Sequence, residues 1–170
     1  MEQKNPVLIG FMGSGKTTVG IRLSYRLRMP AEDTDRLIER REGRSISGIF
    51  AEKGEVYFRE RETELLRELG ERKYPCILSV GGGTPVNPEN RMLLKRLGTV
   101  VYLRVRPETV YERLRGDTAR PLLQCDNPLE RIRELIERRK EAYESCADVI
   151  LDVDDMEIEE IADRIILYVR

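Results

Sequence analysis

Residues 10–17 read Gly10-Phe11-Met12-Gly13-Ser14-Gly15-Lys16-Thr17, a complete G-x-x-x-x-G-K-[ST] pattern. The apolar run Val7–Ile9 stands directly before it, and a segment of helical spacing follows. A glycine-rich loop held between a strand and a helix turns its N–H groups into one concavity, and the helix adds its positive end at the same point. This strand–loop–helix unit is a P-loop. It constrains the chain to an α/β fold with an anion cradle at the end of its first strand.

The rest of the chain has the matching rhythm. Short apolar runs occur at Val7–Ile9, just before Asp33, at Ile77–Val80, Val100–Leu103 and Val149–Leu151, and longer helix-spaced segments separate them. That alternation predicts βαβ units around a parallel sheet. Asn87-Pro88 and Asn127-Pro128 each place a capping side chain before a proline, which predicts two helix starts. Leu129, Ile132, Leu135 and Ile136 continue one stripe, and Ile158, Ile161, Ile165 and Ile166 another within Met156–Val169. Gly43–Gly54 reads as an irregular insertion with one short helix begun at Ser45. Gly116–Asn127, which holds Arg120-Pro121, reads as a long mobile loop. No repeat or linker divides the 170 residues, so a single domain over 1–170 is expected.

Composition narrows the partners. A net charge of -1 argues against a bulk nucleic-acid or membrane surface, while the arginine-rich basic set suits a small, multiply anionic ligand. No span approaches ~20 apolar residues. Cys76, Cys125 and Cys146 have no C-x-x-C spacing and there is no histidine, so a zinc site is not expected and a reducing cytoplasm is.

In the cradle, Gly13, Ser14, Gly15 and Thr18 belong to the phosphate-binding set, Lys16 brings a charge to the β and γ phosphates of ATP, and the Thr17 hydroxyl is suited to ligate Mg2+. No N-K-x-D or D-x-x-G motif accompanies them, which argues against a GTPase, and the run Ile77–Val80 does not end in the aspartate of most motor ATPases. Asp33-Thr34-Asp35 follows the second strand candidate. Asp33 is the candidate acid on the metal side and Asp35 the candidate base for an acceptor hydroxyl, with helix capping near Arg36 as the competing role. Gly81-Gly82-Gly83 permits either close backbone approach to a ligand or a tight turn.

Together these elements resemble the shikimate kinase family, over nearly the whole chain. G-F-M-G-S-G-K-T-T at 10–18, D-T-D at 33–35, S-I-S-G-I-F at 45–50, G-E-V-Y-F-R at 54–59, G-G-G at 81–83, R-P-L-L at 120–123 and Arg139 four before Tyr143 occur in the family's order. The resemblance implies a three-layer, nucleoside-monophosphate-kinase-like fold with a central five-stranded parallel sheet. It implies a lid about 116–127 and a substrate-binding insertion about 34–60. The implied reaction is Mg2+-dependent transfer of the ATP γ-phosphoryl group to the 3-hydroxyl of shikimate, in aromatic amino acid biosynthesis. Carried over by position, Asp35, Arg59, Gly81, Gly82, Gly83 and Arg139 contact shikimate, Lys16 and Arg120 the phosphates, Arg113 the adenine, and Thr17 and Asp33 the metal. The family often has proline where Glu141 stands, and Asp152–Glu157 is short and acidic where the adenine-side loop falls. The competing enzymatic reading is another small-metabolite kinase, acting on gluconate or adenylylsulfate. The competing non-enzymatic reading is an ATP-sensing module without transfer. A monomer is the default.

Overall fold

The computed structural model describes residues 4–117 and 123–170. Five strands, β1 (Pro6–Ile9), β2 (Ala31–Asp33), β3 (Ile77–Ser79), β4 (Thr99–Arg104) and β5 (Val149–Asp152), form one sheet in the order β2-β3-β1-β4-β5. Every pairing is parallel. The helices are α1 (Lys16–Leu27), α2 (Thr34–Glu42), α3 (Ile46–Gly70), α4 (Pro88–Leu97), α5 (Pro107–Leu114), α6 (Pro128–Cys146) and α7 (Ile158–Val169), with a short 3-10 turn at Thr84–Val86.

The three inner strands, β3, β1 and β4, are buried on both faces because helices cover both, whereas the edge strands β2 and β5 are partly exposed. Leu8, Ile77, Val101 and Leu103 point into one core with Val19 and Leu23 of α1, Val110 of α5 and Ile161 and Ile165 of α7. Val7, Ile9, Leu78, Val100 and Tyr102 point into the other with Ile38 of α2, Phe58, Leu65 and Leu66 of α3 and Leu94 of α4. The period-2 alternation of a strand thus splits the apolar runs of β1, β3 and β4 between two cores. Helix α6 serves both: Ile132 packs into the first core and Tyr143 and Cys146 into the second.

Both Asn-Pro starts form as expected. Asn87 accepts from Glu89 N at 3.0 Å ahead of α4, and Asn127 accepts from Glu130 N at 3.2 Å ahead of α6; each cap stabilises its helix by ~1 kcal/mol. The insertion at Gly43–Gly54 differs from expectation. Ser45 does cap a helix, accepting from Gly48 N at 3.1 Å, but most of the segment is helical. It runs into α3 across a kink at Gly54, whose φ of 83° and ψ of 170° glycine alone tolerates well. The expected loop at 116–127 falls partly outside the described residues, and Arg120 lies wholly there.

Register places the functional ends together. Leu8 pairs with Ser79, and Ser79 with Asp33, so β1, β3 and β2 end at one level. From adjacent β1 and β3 the chain departs in opposite directions, to β2 on one side and β4 on the other. The crevice between them is a topological switch point, where open parallel sheets gather ligands.

Candidate active site

A cleft of about 300 Å³ opens at that point, lined by Met12, Gly13, Gly15, Lys16, Thr17 and Thr18 from the P-loop unit, Asp33 and Asp35, and Gly81 and Gly82. Lys16 and Asp35, on which the sequence reading depends, therefore face one cavity.

On the cradle side, Gly15 adopts a left-handed conformation, φ 95°, as the N-cap of α1. The amides of Gly13, Gly15, Thr17 and Thr18 donate to no acceptor among the described residues, and Ser14 Oγ is buried without a partner. A ring of unsatisfied donors at a helix start fits a polyphosphate. Lys16 Nζ curls over the loop, donating to the carbonyls of Gly10 at 2.7 Å and Phe11 at 3.1 Å. Thr17 Oγ1 donates to Asp33 Oδ2 at 3.4 Å. Among the described residues no cluster of three acidic or thiol side chains could hold a metal by itself. One hydroxyl and one carboxylate beside a phosphate cradle fit Mg2+, which takes few protein ligands and fills its shell with phosphate and water.

Asp33 caps a helix and also faces the P-loop threonine. Its Oδ1 caps α2, accepting from Asp35 N at 3.0 Å and Arg36 N at 3.3 Å, while Oδ2 faces Thr17. The cap begins the helix at Thr34 rather than near Arg36. Asp35 is half-buried, and burial pushes its carboxyl up from 3.8 to about 6; the neighbouring Asp33 and Glu62 charges add to the rise, and Lys16 and Arg59 oppose it.

The glycine run now has a physical explanation. None of the three has a positive φ, so a turn does not demand them. Each instead lies under a charged side chain. A Cβ on Gly81 would fall 2.6 Å from Asp35 Oδ1, one on Gly83 would fall 2.5 Å from the Arg59 guanidinium, and one on Gly82 would fall 3.4 Å from Arg139 Nη1. Asp35 from α2 and Arg59 from α3 thus fill the space that side chains on Gly81 and Gly83 would need, while Arg139 from α6 lies at ordinary contact distance over Gly82.

Several supporting residues were not singled out from sequence. Glu62 is buried, ion-pairs Arg59 and accepts from Thr84 Oγ1. Thr34 Oγ1 accepts from Gly81 N at 3.1 Å. The Arg139 guanidinium lies over the Phe11 ring, 5.5 Å from its centroid. The i, i+3 spacing of Arg59 and Glu62 was visible, but nothing in it distinguishes a buried pair from a solvated one. Arg113, expected at the adenine, donates to the Gly13 carbonyl at 2.8 Å and so stands at the rim of the P-loop. In the acidic segment, Asp152 pairs with Arg104 at 2.6 Å, and Asp154 accepts from Arg106 N at 2.9 Å and Thr109 Oγ1 at 2.6 Å.

The shikimate kinase family model matches residues 12–170. The shikimate kinase of Enterococcus faecalis is 45% identical over 96% of this chain and 97% of its own length. That of Paracidovorax citrulli is 46% identical over 85% of this chain and 79% of its own. The structure of Acinetobacter baumannii shikimate kinase in complex with shikimate superposes with a TM-score of 0.90 at 38% identity, covering 98% of this chain and 92% of that one. Likeness of this extent establishes that the chain belongs to the shikimate kinase family.

Proposed function

We propose that the cleft between the P-loop and the glycine run is where this ATP-dependent phosphotransferase passes the γ-phosphoryl group of ATP to the 3-hydroxyl of shikimate. The observation that carries the reading is the convergence of Asp35, Arg59 and Arg139 on three glycines, of which Gly81 and Gly82 line the same cleft as the cradle. Shikimate is a carboxylate with three hydroxyls. Two arginine forks meet the carboxylate, and Asp35 accepts from the ring hydroxyl that reacts.

In the transfer, the acceptor oxygen forms a bond to the γ-phosphorus, and the bond from that phosphorus to the β–γ bridging oxygen breaks, leaving ADP. The proton of the hydroxyl passes to Asp35. With its carboxyl near 6, Asp35 is mostly ionised at neutral pH yet basic enough to take that proton. Lys16 exchanges its loop carbonyls for phosphate oxygens, and the amides of Gly13, Gly15, Thr17 and Thr18 hold the polyphosphate. Thr17 and Asp33 form the protein side of the Mg2+ site; the ion, when bound, supplies positive charge against the phosphates. On the family resemblance, Arg120 reaches the transferring phosphate from a lid at 116–127, Arg113 serves the adenine, and 34–60 forms the acceptor-side insertion. The enzyme acts as a cytoplasmic monomer.

The test is ADP release measured with shikimate, gluconate, adenylylsulfate and AMP as acceptors. Turnover is expected with shikimate alone; strong turnover confined to another acceptor would overturn the proposal. ATP binding without any phosphorylated shikimate detectable by mass spectrometry would favour an ATP-sensing module instead.

A further inference from the structure

We propose that Tyr143 is a positioning residue for the acceptor half of the site, acting through the peptide that joins Gly82 to Gly83. The inference rests on the assignment of the glycine run to shikimate. Tyr143 is fully buried, its ring packs on Tyr102 with centroids 4.9 Å apart, and its hydroxyl donates to the Gly82 carbonyl at 2.6 Å.

The hydrogen bonds of the run divide cleanly. Each of its carbonyls is occupied: Gly81 O by Thr84 N at 3.1 Å, Gly82 O by Tyr143 and Gly83 O by Val86 N at 3.2 Å. The Gly81 amide is also used, by Thr34 Oγ1. The amides of Gly82 and Gly83 donate to nothing among the described residues. These two N–H groups are the donors the loop retains for a ligand.

In a trans peptide the carbonyl and the following N–H lie in one plane and point opposite ways. Holding the Gly82 carbonyl towards α6 therefore fixes the direction of the Gly83 N–H. The Gly82 N–H is fixed in the same way, because Thr84 N holds the Gly81 carbonyl. Glycine has no side chain to restrain its own peptide planes and samples more backbone than any other residue. An external anchor is what keeps such a loop pre-organised, and Tyr143 is that anchor for the second plane. It stands one helical turn from Arg139 on α6, so one helix sets both the arginine and the backbone beneath it.

Tyr143→Phe keeps the ring and deletes the hydroxyl, which donates to Gly82 O and also meets the Arg139 side chain, so the Gly83 amide shift is the readout that separates the peptide from the arginine. The expected result is a shikimate KM raised about tenfold, the worth of one hydrogen bond's orientation, with the ATP KM within about twofold of the parent. Tyr102→Phe, which keeps the ring pair but does not reach Gly82, is expected to leave both constants unchanged. In 15N-glycine-labelled parent enzyme, shikimate is expected to shift the Gly82 and Gly83 amide resonances, and in Tyr143→Phe the Gly83 shift should shrink. An unmoved shikimate KM, or an equal rise in both KM values with a matching fall in Tm, would overturn the inference. Should the variant not fold, parent spectra in which shikimate moves neither amide would overturn it equally. Failure of the underlying assignment looks different: the parent enzyme would not phosphorylate shikimate, or Asp35→Asn would retain turnover.

Discussion

Asp35→Asn is expected to destroy turnover and, at neutral pH, to stabilise the protein. Burial, aided by Asp33 and Glu62, raises the carboxyl from 3.8 to about 6. Between those two values the native state holds a proton that the unfolded chain has released, so stability falls as pH rises, by ~1.36 kcal/mol per pH unit. Above pH 6 the penalty is complete, at about 3 kcal/mol. Asparagine keeps the shape without the charge. It forfeits no bond either, since the Asp35 carboxylate accepts none from the described residues. At pH 7 the variant should therefore be more stable by about 3 kcal/mol, roughly 6–12 °C in Tm for a chain of this length. Urea unfolding of both proteins at pH 4, 5, 6 and 7 measures the difference. The gain should be near zero at pH 4 and grow through pH 6. A variant no more stable than the parent at pH 7, or a gain independent of pH, would refute the claim that the fold holds Asp35 in an unfavourable ionised state.

The kcat/KM of the parent enzyme should fall below pH ~6, as the same carboxylate takes up its proton before reaction; a flat profile down to pH 5 would remove Asp35 as the base. Gly81→Ala places a Cβ 2.6 Å from Asp35 Oδ1, so turnover should drop at least ~100-fold with ATP affinity intact by calorimetry. Arg59→Ala and Arg139→Ala should each raise the shikimate KM ~10-fold or more, leaving the ATP KM nearly unchanged. Thr17→Val, which removes the hydroxyl beside Asp33, should raise the Mg2+ concentration needed for half-maximal rate and leave metal-free ATP binding unaltered.

What was legible in the sequence had a local cause. The P-loop follows from eight consecutive residues between a strand and a helix, and the Asn-Pro starts of α4 and α6 from two-residue signals. Five short runs with helices between them are enough for a parallel sheet. What was not legible depends on partners far apart in the chain. Gly81 touches a carboxylate 46 residues earlier, and Gly82 an arginine 57 residues later, so the run alone could not decide between a turn and a close approach. Glu62 looked like one more acid on a charged helix until Thr84 and Arg59 enclosed it. Gly54 sat in a stretch read as irregular, because a kinked helix and a loop use the same residue for the same positive φ.

The glycine run also shows why this site combines strain with order. Two of three charged side chains occupy the space a Cβ would need on this loop, so on the proposed reading the acceptor side is assembled by α2, α3 and α6 over the loop that forms its floor. Asp35 sits beside two other acids, Asp33 and Glu62, at a cost in stability, and the charges that oppose the cost come from Lys16 and Arg59. Lys16 belongs to the cradle and Arg59 to the acceptor wall. On the proposed reading the proton affinity of Asp35 is coupled to both substrates: phosphate on Lys16 or carboxylate on Arg59 would weaken the opposition and raise it. Mg2+ on Asp33 would instead cancel a neighbouring negative charge and lower it. If Asp35 is the base, the acidic limb of kcat should therefore be displaced from that of kcat/KM, upward where phosphate and carboxylate charge dominate. The displacement should shrink as Mg2+ is raised, and limbs that coincide at every Mg2+ concentration would refute the coupling.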